Sequence, residues 1–153
     1  MNFDDTDKKI LMLLQEDSKM TTKEIANQLN LSATAVYERI RKLEKNKVIK
    51  KYVALIDKEL VNRDFVVLCH IKLTQHKKEY LQEFEKEILE LQEVMDCFHV
   101  SGDFDYILKI GVANIKEYRS FIVNKLTVVK HIGSSHSAFV IGEVKSTTAV
   151  SIL

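Results

Sequence analysis

Between Arg39 and Lys51 the 153-residue sequence places seven basic side chains, Arg39, Arg41, Lys42, Lys45, Lys47, Lys50 and Lys51, against one acid, Glu44. Guanidinium and ammonium groups at that density neutralise a polyanion, and arginine adds a planar fork that fits a phosphate or a guanine edge. The same cluster also suits the solvated end of a helix, where Lys and Arg favour the negative pole of the dipole. Charge alone leaves the two readings even, so position must decide. The net charge of +1 conceals the bias: residues 1–63 hold thirteen bases against ten acids, net +3, and residues 64–153 hold ten against twelve, net −2.

Other candidate chemistries are thinner. Cys69-His70 and Cys97-Phe98-His99 bring sulfur and imidazole close in sequence. Neither has the CxxC or HxxxH spacing of a zinc site, and strand cysteines are commonly buried apolar residues. Asp103 and Asp105 resemble an acid-base pair only by proximity, and two aspartates in a turn ordinarily serve the turn. The sequence has no glycine-rich phosphate loop and no serine-nucleophile motif. It reads as a chain without catalytic residues, metal or cofactor. Hydrophobic content of 46% with 29% charge excludes disorder. No apolar run approaches the roughly 18 residues that span a bilayer. The acidic opening Met1-Asn2-Phe3-Asp4-Asp5 is no signal peptide, and two cysteines are too few for a disulfide scaffold, so a cytoplasmic setting is expected.

Several elements must position the basic cluster. Asp4 suits the N-cap of a first helix whose apolar face is Ile10, Leu11, Leu13 and Leu14. Thr21 and Glu24 form a capping-box pair ahead of Ile25, Ala26 and Leu29, and Asn30 suits a left-handed turn. Ser32 then caps a third helix running to about Lys45, with Val36, Ile40 and Leu43 facing inward at i, i+4, i+7. At 100° per residue its opposite face carries Thr34, Glu38, Arg41 and Lys45, flanked by Tyr37 and Lys42. Two short helices joined by a tight turn, the second with a basic outer face, make the helix-turn-helix pattern that enters the DNA major groove. The first turns of such a helix reach base edges, which assigns Ser32, Ala33, Thr34, Tyr37, Glu38 and Arg41 to the groove. Arg39, Lys42, Lys45, Lys50 and Lys51 are assigned to phosphates. Val48-Ile49 and Tyr52–Ile56 read as short β segments of a wing or connecting strand.

The polar stretch Asp57–Arg63 suggests a boundary near residue 60, giving a DNA-binding domain over 1–60 and a second domain over 61–153. In the second domain Phe65–Leu73 reads as a strand and Lys77–Leu91 as an amphipathic helix. Val94–Val100 and Tyr106–Val112 are strands flanking the turn Ser101-Gly102-Asp103. Asn114 with Glu117 caps a helix carrying Tyr118, Phe121 and Ile122, and His136–Val144 closes the set, with Thr147–Ile152 extending or following it. The order β-α-β-β-α-β is that of the ferredoxin-like split unit. The fold class is therefore α+β: a winged helix-turn-helix followed by a ferredoxin-like sandwich. Helices cover one sheet face only, so the other needs a partner, and a symmetric dimer supplies it.

With these motifs in order, residues 4–57 (DDTDKKILMLLQEDSKMTTKEIANQLNLSATAVYERIRKLEKNKVIKKYVALID), Gly102-Asp103-Phe104-Asp105-Tyr106 and GEVKSTTAV at 142–150, the sequence resembles the leucine-responsive and asparagine regulator family of transcription regulators. The resemblance implies a homo-oligomer, dimers assembling into octamers, that binds double-stranded DNA, no membrane, and a small effector, usually an amino acid, between dimers. Carried over by position, the effector region is Ser101, Gly102, Asp103, Asp105 and Tyr106 with Ser135 and Ser137. Each admits a plainer role: Gly102 in a tight strand connection, Asp105 capping the turn, the serines as ordinary strand residues. The rival function is a small-molecule sensor whose helix-turn-helix contacts protein rather than DNA. One departure stands out. Asn46-Lys47 replaces the family's glycine after the third helix, so either Lys47 accepts a left-handed backbone at about 1 kcal/mol or Asn46 takes that role.

Overall fold

The computed structural model describes residues 3–152, which fall into two compact units, one formed by residues up to Leu55 together with those from Val144 on, the other Ile56–Glu143. In the first, local capping sets three helices. Asp4 accepts the Asp7 N–H at 2.8 Å and starts α1 (Asp5–Glu16). Thr21 and Glu24 exchange side-chain and backbone hydrogen bonds and start α2 (Thr22–Leu29). Asn30 ends α2 with φ 54°, and Ser32 accepts the Ala35 N–H to start α3 (Ala33–Lys45). Ile10, Leu11, Ile25, Ala26, Val36 and Leu43 pack into one core, against which Ile40 also lies.

The end of α3 answers the question raised by Asn46-Lys47. Lys47 takes the left-handed conformation, φ 56°, and Asn46 does not, φ −86°. The Lys47 N–H donates to Glu44 O at 2.9 Å and the Val48 N–H to Leu43 O at 2.9 Å, the paired bonds of a Schellman cap. That cap is one reason the β segment expected at Val48-Ile49 is not formed: both amides donate back to Leu43. Tyr52–Ile56 forms no ladder either: Tyr52–Leu55 belongs to the first unit, which holds no strand among the described residues, and Ile56 begins the second. The wing is therefore an irregular segment, and Thr147–Ile152 likewise joins no strand.

The second unit is an antiparallel sheet in the order β2-β3-β1-β4, built from β1 (Phe65–Leu73), β2 (Val94–His99), β3 (Tyr106–Val112) and β4 (Ile132–Phe139), with α4 (Lys78–Leu89) and α5 (Ile115–Asn124) as crossovers. This is the split β-α-β arrangement expected. β4 starts four residues before the expected His136 and stops at Phe139. Its extent is set by β1, whose Leu73 pairs with Ile132 and Val67 with Phe139. Val67, Cys69, Ile71 and Leu73 meet Tyr106, Leu108, Ile110 and Val112 on one face, under Phe84 and Ile88 of α4 and Tyr118 and Phe121 of α5. The opposite face, with Leu68, His70, Lys72, Ile107, Phe98, His136 and Ala138, carries no helix of its own unit among the described residues. Met95 folds over it at a register shift in β2, so close to Gly111 that a Cβ there would lie 2.7 Å from its sulfur.

Candidate nucleic-acid interface and sensing turn

α3 is anchored from its inner side and by one ion pair. Val36 is fully buried and Leu43 nearly so, which fixes the rotation of the helix and turns Ala33, Thr34, Tyr37, Glu38, Arg41, Lys42 and Lys45 to the surface. Ser32, at the N-cap, is exposed with them. Its oxygen holds the Ala35 N–H, yet its O–H remains free to donate to a phosphate or base. Lys50 and Lys51 are exposed in the segment beyond. Among the described residues Arg41, Lys42, Lys45, Lys50 and Lys51 enter no ion pair with their own chain, so their charge is available to an outside anion.

Arg39 differs from its expected role as a phosphate contact. Its Nη1 lies 2.6 Å from Asp4 Oδ2 and 2.6 Å from Asp7 Oδ1, and Asp7 is the one buried charged residue among those described. The Asp7 N–H and the Arg39 guanidinium hold the Asp4 carboxyl below its usual range, and the two acids raise Arg39 further above its own. The guanidinium thus clamps α1 to α3. A second contact beyond α3 was equally invisible in sequence. The Tyr52 hydroxyl donates to Glu44 Oε1 at 2.9 Å, and burial together with that carboxylate pushes the phenol up to about 12.

In the second unit the turn between β2 and β3 presents Ser101, Gly102 and Asp103 to solvent. Gly102 has φ 120°, a conformation L side chains rarely adopt, and a Cβ there would meet nothing within 4 Å. The turn needs glycine for its backbone, and the space above it is open. Asp105 is engaged: Oδ2 accepts the Leu73 N–H at 2.7 Å and Oδ1 lies 2.6 Å from His76 Nε2. Burial alone would raise this carboxyl, but the Leu73 amide and His76 outweigh it and hold it below its usual value. Tyr106 is a core residue, 1% exposed, with its hydroxyl donating to Glu85 Oε1 at 2.8 Å. Burial and Glu85 drive its phenol well upward.

Ser135 and Tyr106 flank Ile71 from opposite sides, so the structure brings β4 and the turn to one end of the sheet, two strand spacings or roughly 10 Å apart. Ser135 is exposed; Ser137 is half-buried, its hydroxyl 2.6 Å from that of Tyr118. On the uncovered face His70 sits opposite His136, with Phe104 5.1 Å from the His70 ring, and His70 Nδ1 is buried without a hydrogen-bond partner. Both cysteines are free, and burial pushes each thiol up, away from reactive thiolate. No group of three or more metal-ligating side chains is assembled among the described residues, and no helix there is long and apolar enough to cross a membrane.

Comparison with known proteins places both units. Residues 3–44 match the AsnC-type helix-turn-helix domain, and residues 66–150 match the Lrp/AsnC ligand binding domain. The leucine-responsive regulatory protein of Haemophilus influenzae is 37% identical over 144 residues, covering 94% of this chain and 87% of that protein. The Bkd operon transcriptional regulator of Pseudomonas aeruginosa is 33% identical over 141 residues, covering 92% of each. An AsnC family transcriptional regulator from Agrobacterium tumefaciens superposes with a TM-score of 0.93 at 35% identity, covering 97% of both chains. A transcriptional regulator from Neisseria meningitidis, solved as an L-Met complex, superposes with a TM-score of 0.93 at 27% identity, covering 98% of this chain and 97% of that one.

Proposed function

Because the chain belongs to the Lrp/AsnC family of transcription regulators, we propose that α3 reads a DNA major groove and that an amino acid bound by the second unit sets the affinity. The observation that carries the first half is the outer face of α3, where Arg41, Lys42 and Lys45 are exposed and unpaired beside Thr34, Tyr37 and Glu38. Arg41 donates to a guanine edge, and Glu38 accepts from cytosine N4. Lys42, Lys45, Lys50 and Lys51 neutralise phosphates and set register. Arg39 supports the reading helix from behind.

Two copies pairing through the uncovered sheet face place two reading helices about one DNA turn apart, roughly 34 Å or a multiple, on a pseudo-palindromic site. Exposed Phe98 and Met95, and the unpartnered His70 Nδ1, favour that face as the one covered in the dimer. Dimers then assemble into a cytoplasmic octamer of four. The effector lies against Ser101, Gly102 and Asp103 with Ser135, whose hydroxyls and backbone amides suit a carboxylate and whose acid suits an ammonium. The match to a ligand binding domain and the L-Met in the Neisseria relative support an amino acid there.

Selection of bound DNA from a random pool, repeated with and without the twenty standard amino acids, tests both halves. A single enriched palindrome whose recovery shifts with amino acids is expected. A helix-turn-helix that contacts protein instead enriches nothing, and its residual DNA binding shows no steep fall of log affinity with log salt.

A further inference from the structure

The first unit is not made from contiguous chain. Residues from Val144 on belong to it, so the polypeptide passes between its two units twice, at Leu55/Ile56 and again at Glu143/Val144. Among the described residues, one side chain makes the hydrogen bonds that tie the returning segment to the helices. Gln15 Nε2 donates to Val150 O at 3.1 Å, and Gln15 Oε1 accepts the Val150 N–H at 2.7 Å. A carboxamide has the donor and acceptor of a peptide group, and here it stands in for the neighbouring strand the segment lacks. Two residues on, Ile152 packs against the core of the three helices. Thr148, Val150 and Ile152, alternate residues, line one groove of about 670 Å³ with Leu11, Leu14 and Val53. The Val150 side chain itself is largely exposed, so Gln15 grips backbone, not side chain.

α1, which bears Gln15 near its end, bears at its start the two acids that clamp Arg39 of the reading helix. We propose that residues 144–152 are a latch: held on α1 by Gln15, they give the sensing unit a second covalent grip on the reading unit. The effector signal then reaches α3 through α1. This rests on the reading that an effector in the second unit alters DNA binding by the first. A unit joined by one segment can pivot about it; a unit held at two points responds to displacement of either. β4 leads into the latch through residues 140–143, and Ser135 lies on β4. An effector that shifts β4 therefore pulls on α1.

Full-length Gln15→Ala, and a variant ending at Glu143, test this against the wild type. Hydrogen exchange reads the dock. The Val150 amide is expected to be protected at least tenfold over a free peptide of residues 145–152 in the wild type, and to lose that protection in Gln15→Ala. Fluorescence anisotropy on the selected DNA, with and without the twenty amino acids, reads the coupling. Affinity without amino acids is expected to stay within threefold of wild type. The change on adding them is expected to shrink at least threefold in both variants, and the free peptide is expected to restore it in the shortened chain. Should the shortened chain not fold, Gln15→Ala carries the test alone. Val150 exchange in the wild type as fast as in the peptide overturns the dock. An undiminished amino-acid effect in Gln15→Ala, with Val150 released, overturns the coupling. A wild type that binds DNA but ignores amino acids refutes the effector reading and the coupling with it, while the exchange result still judges the dock.

Discussion

Arg39 Nη1 stands 2.6 Å from the buried Asp7 carboxylate, thirty-two positions away in sequence and on a different helix. The contact fixes α3 against α1, and it makes Arg39 a supporting residue in the midst of the stretch proposed to contact DNA. Arg39→Ala leaves Asp7 buried and unpaired, and the first unit should lose about 1–2 kcal/mol, discounted from a fully buried pair because the guanidinium is one-third exposed. Chemical denaturation followed by the Tyr signals checks this. The salt slope of DNA binding should not change, whereas loss of a phosphate contact would lower it by about 1.

Among the described residues Arg41 has no ion-pair partner, and it is exposed. Arg41→Ala should weaken binding to the selected DNA by about 1–3 kcal/mol and relax the preference at one base position in each half-site. Lys45→Ala should weaken all sequences alike. Anisotropy titrations on the selected site and on single-base variants separate the two outcomes.

Lys47 pays for its left-handed backbone at the end of α3. Lys47→Gly should raise the stability of the first unit by up to about 0.5 kcal/mol, the strain removed less the flexibility glycine adds when unfolded. Asn46→Gly, at φ −86°, should give no such gain. Thermal melts of the two variants against wild type decide it.

Asp105 is held ionised below its usual range by the Leu73 amide and His76. A carboxyl whose folded-state pKa is depressed adds stability that is complete above its unfolded value near 4 and is lost as pH falls through the lower folded value. The second unit should therefore lose stability in acid below about pH 4, and Asp105→Ala should remove that component of the pH dependence. At neutral pH the variant should be weaker by about 1–2 kcal/mol, the worth of a charge-assisted hydrogen bond. Melts between pH 3 and 7 test the sign.

Phe98, 54% exposed on the uncovered sheet face, should be covered in the dimer. Phe98→Lys should shift the chain toward monomer in sedimentation velocity while leaving its circular dichroism unchanged, since the residue is half exposed and lies outside the buried core. A dimer of wild-type strength would move the interface elsewhere.

What was legible in the sequence was local. Asp4, Thr21, Ser32 and Asn114 each cap the helix their residue types suggested, because a cap and the amide it accepts lie two or three residues apart. β1 and β3 ran as expected because their apolar residues fill the sheet's centre. The misses were long-range. Asp5 and Asp7 look alike as first-turn acids, and nothing nearby in sequence says that Asp7, and not Asp5, joins Asp4 in meeting Arg39. Ile132–Ser135 looks too polar and glycine-bearing for a strand, yet β1 offers it a ladder. Tyr52–Ile56 looks like a strand and joins no ladder. In the turn between β2 and β3 the sequence marked Gly102 and Asp105 but left their roles open: the φ of one and the Leu73 partner of the other depend on how three strands meet.

The strand order carries a consequence for synthesis. β1 leaves the ribosome first of the four and ends at the centre, so Val67 and Ile71 wait for Ile110 and Tyr106, and then for Phe139 and Ser135, before either edge is paired. Until then the run FVVLCHIKL is an unprotected, β-prone segment of the kind that nucleates aggregation. Such non-local pairing also makes for slow folding. Overproduced chain interrupted before β4 should therefore collect in inclusion bodies, and the helical unit stays incomplete until residues 144–152 have been made.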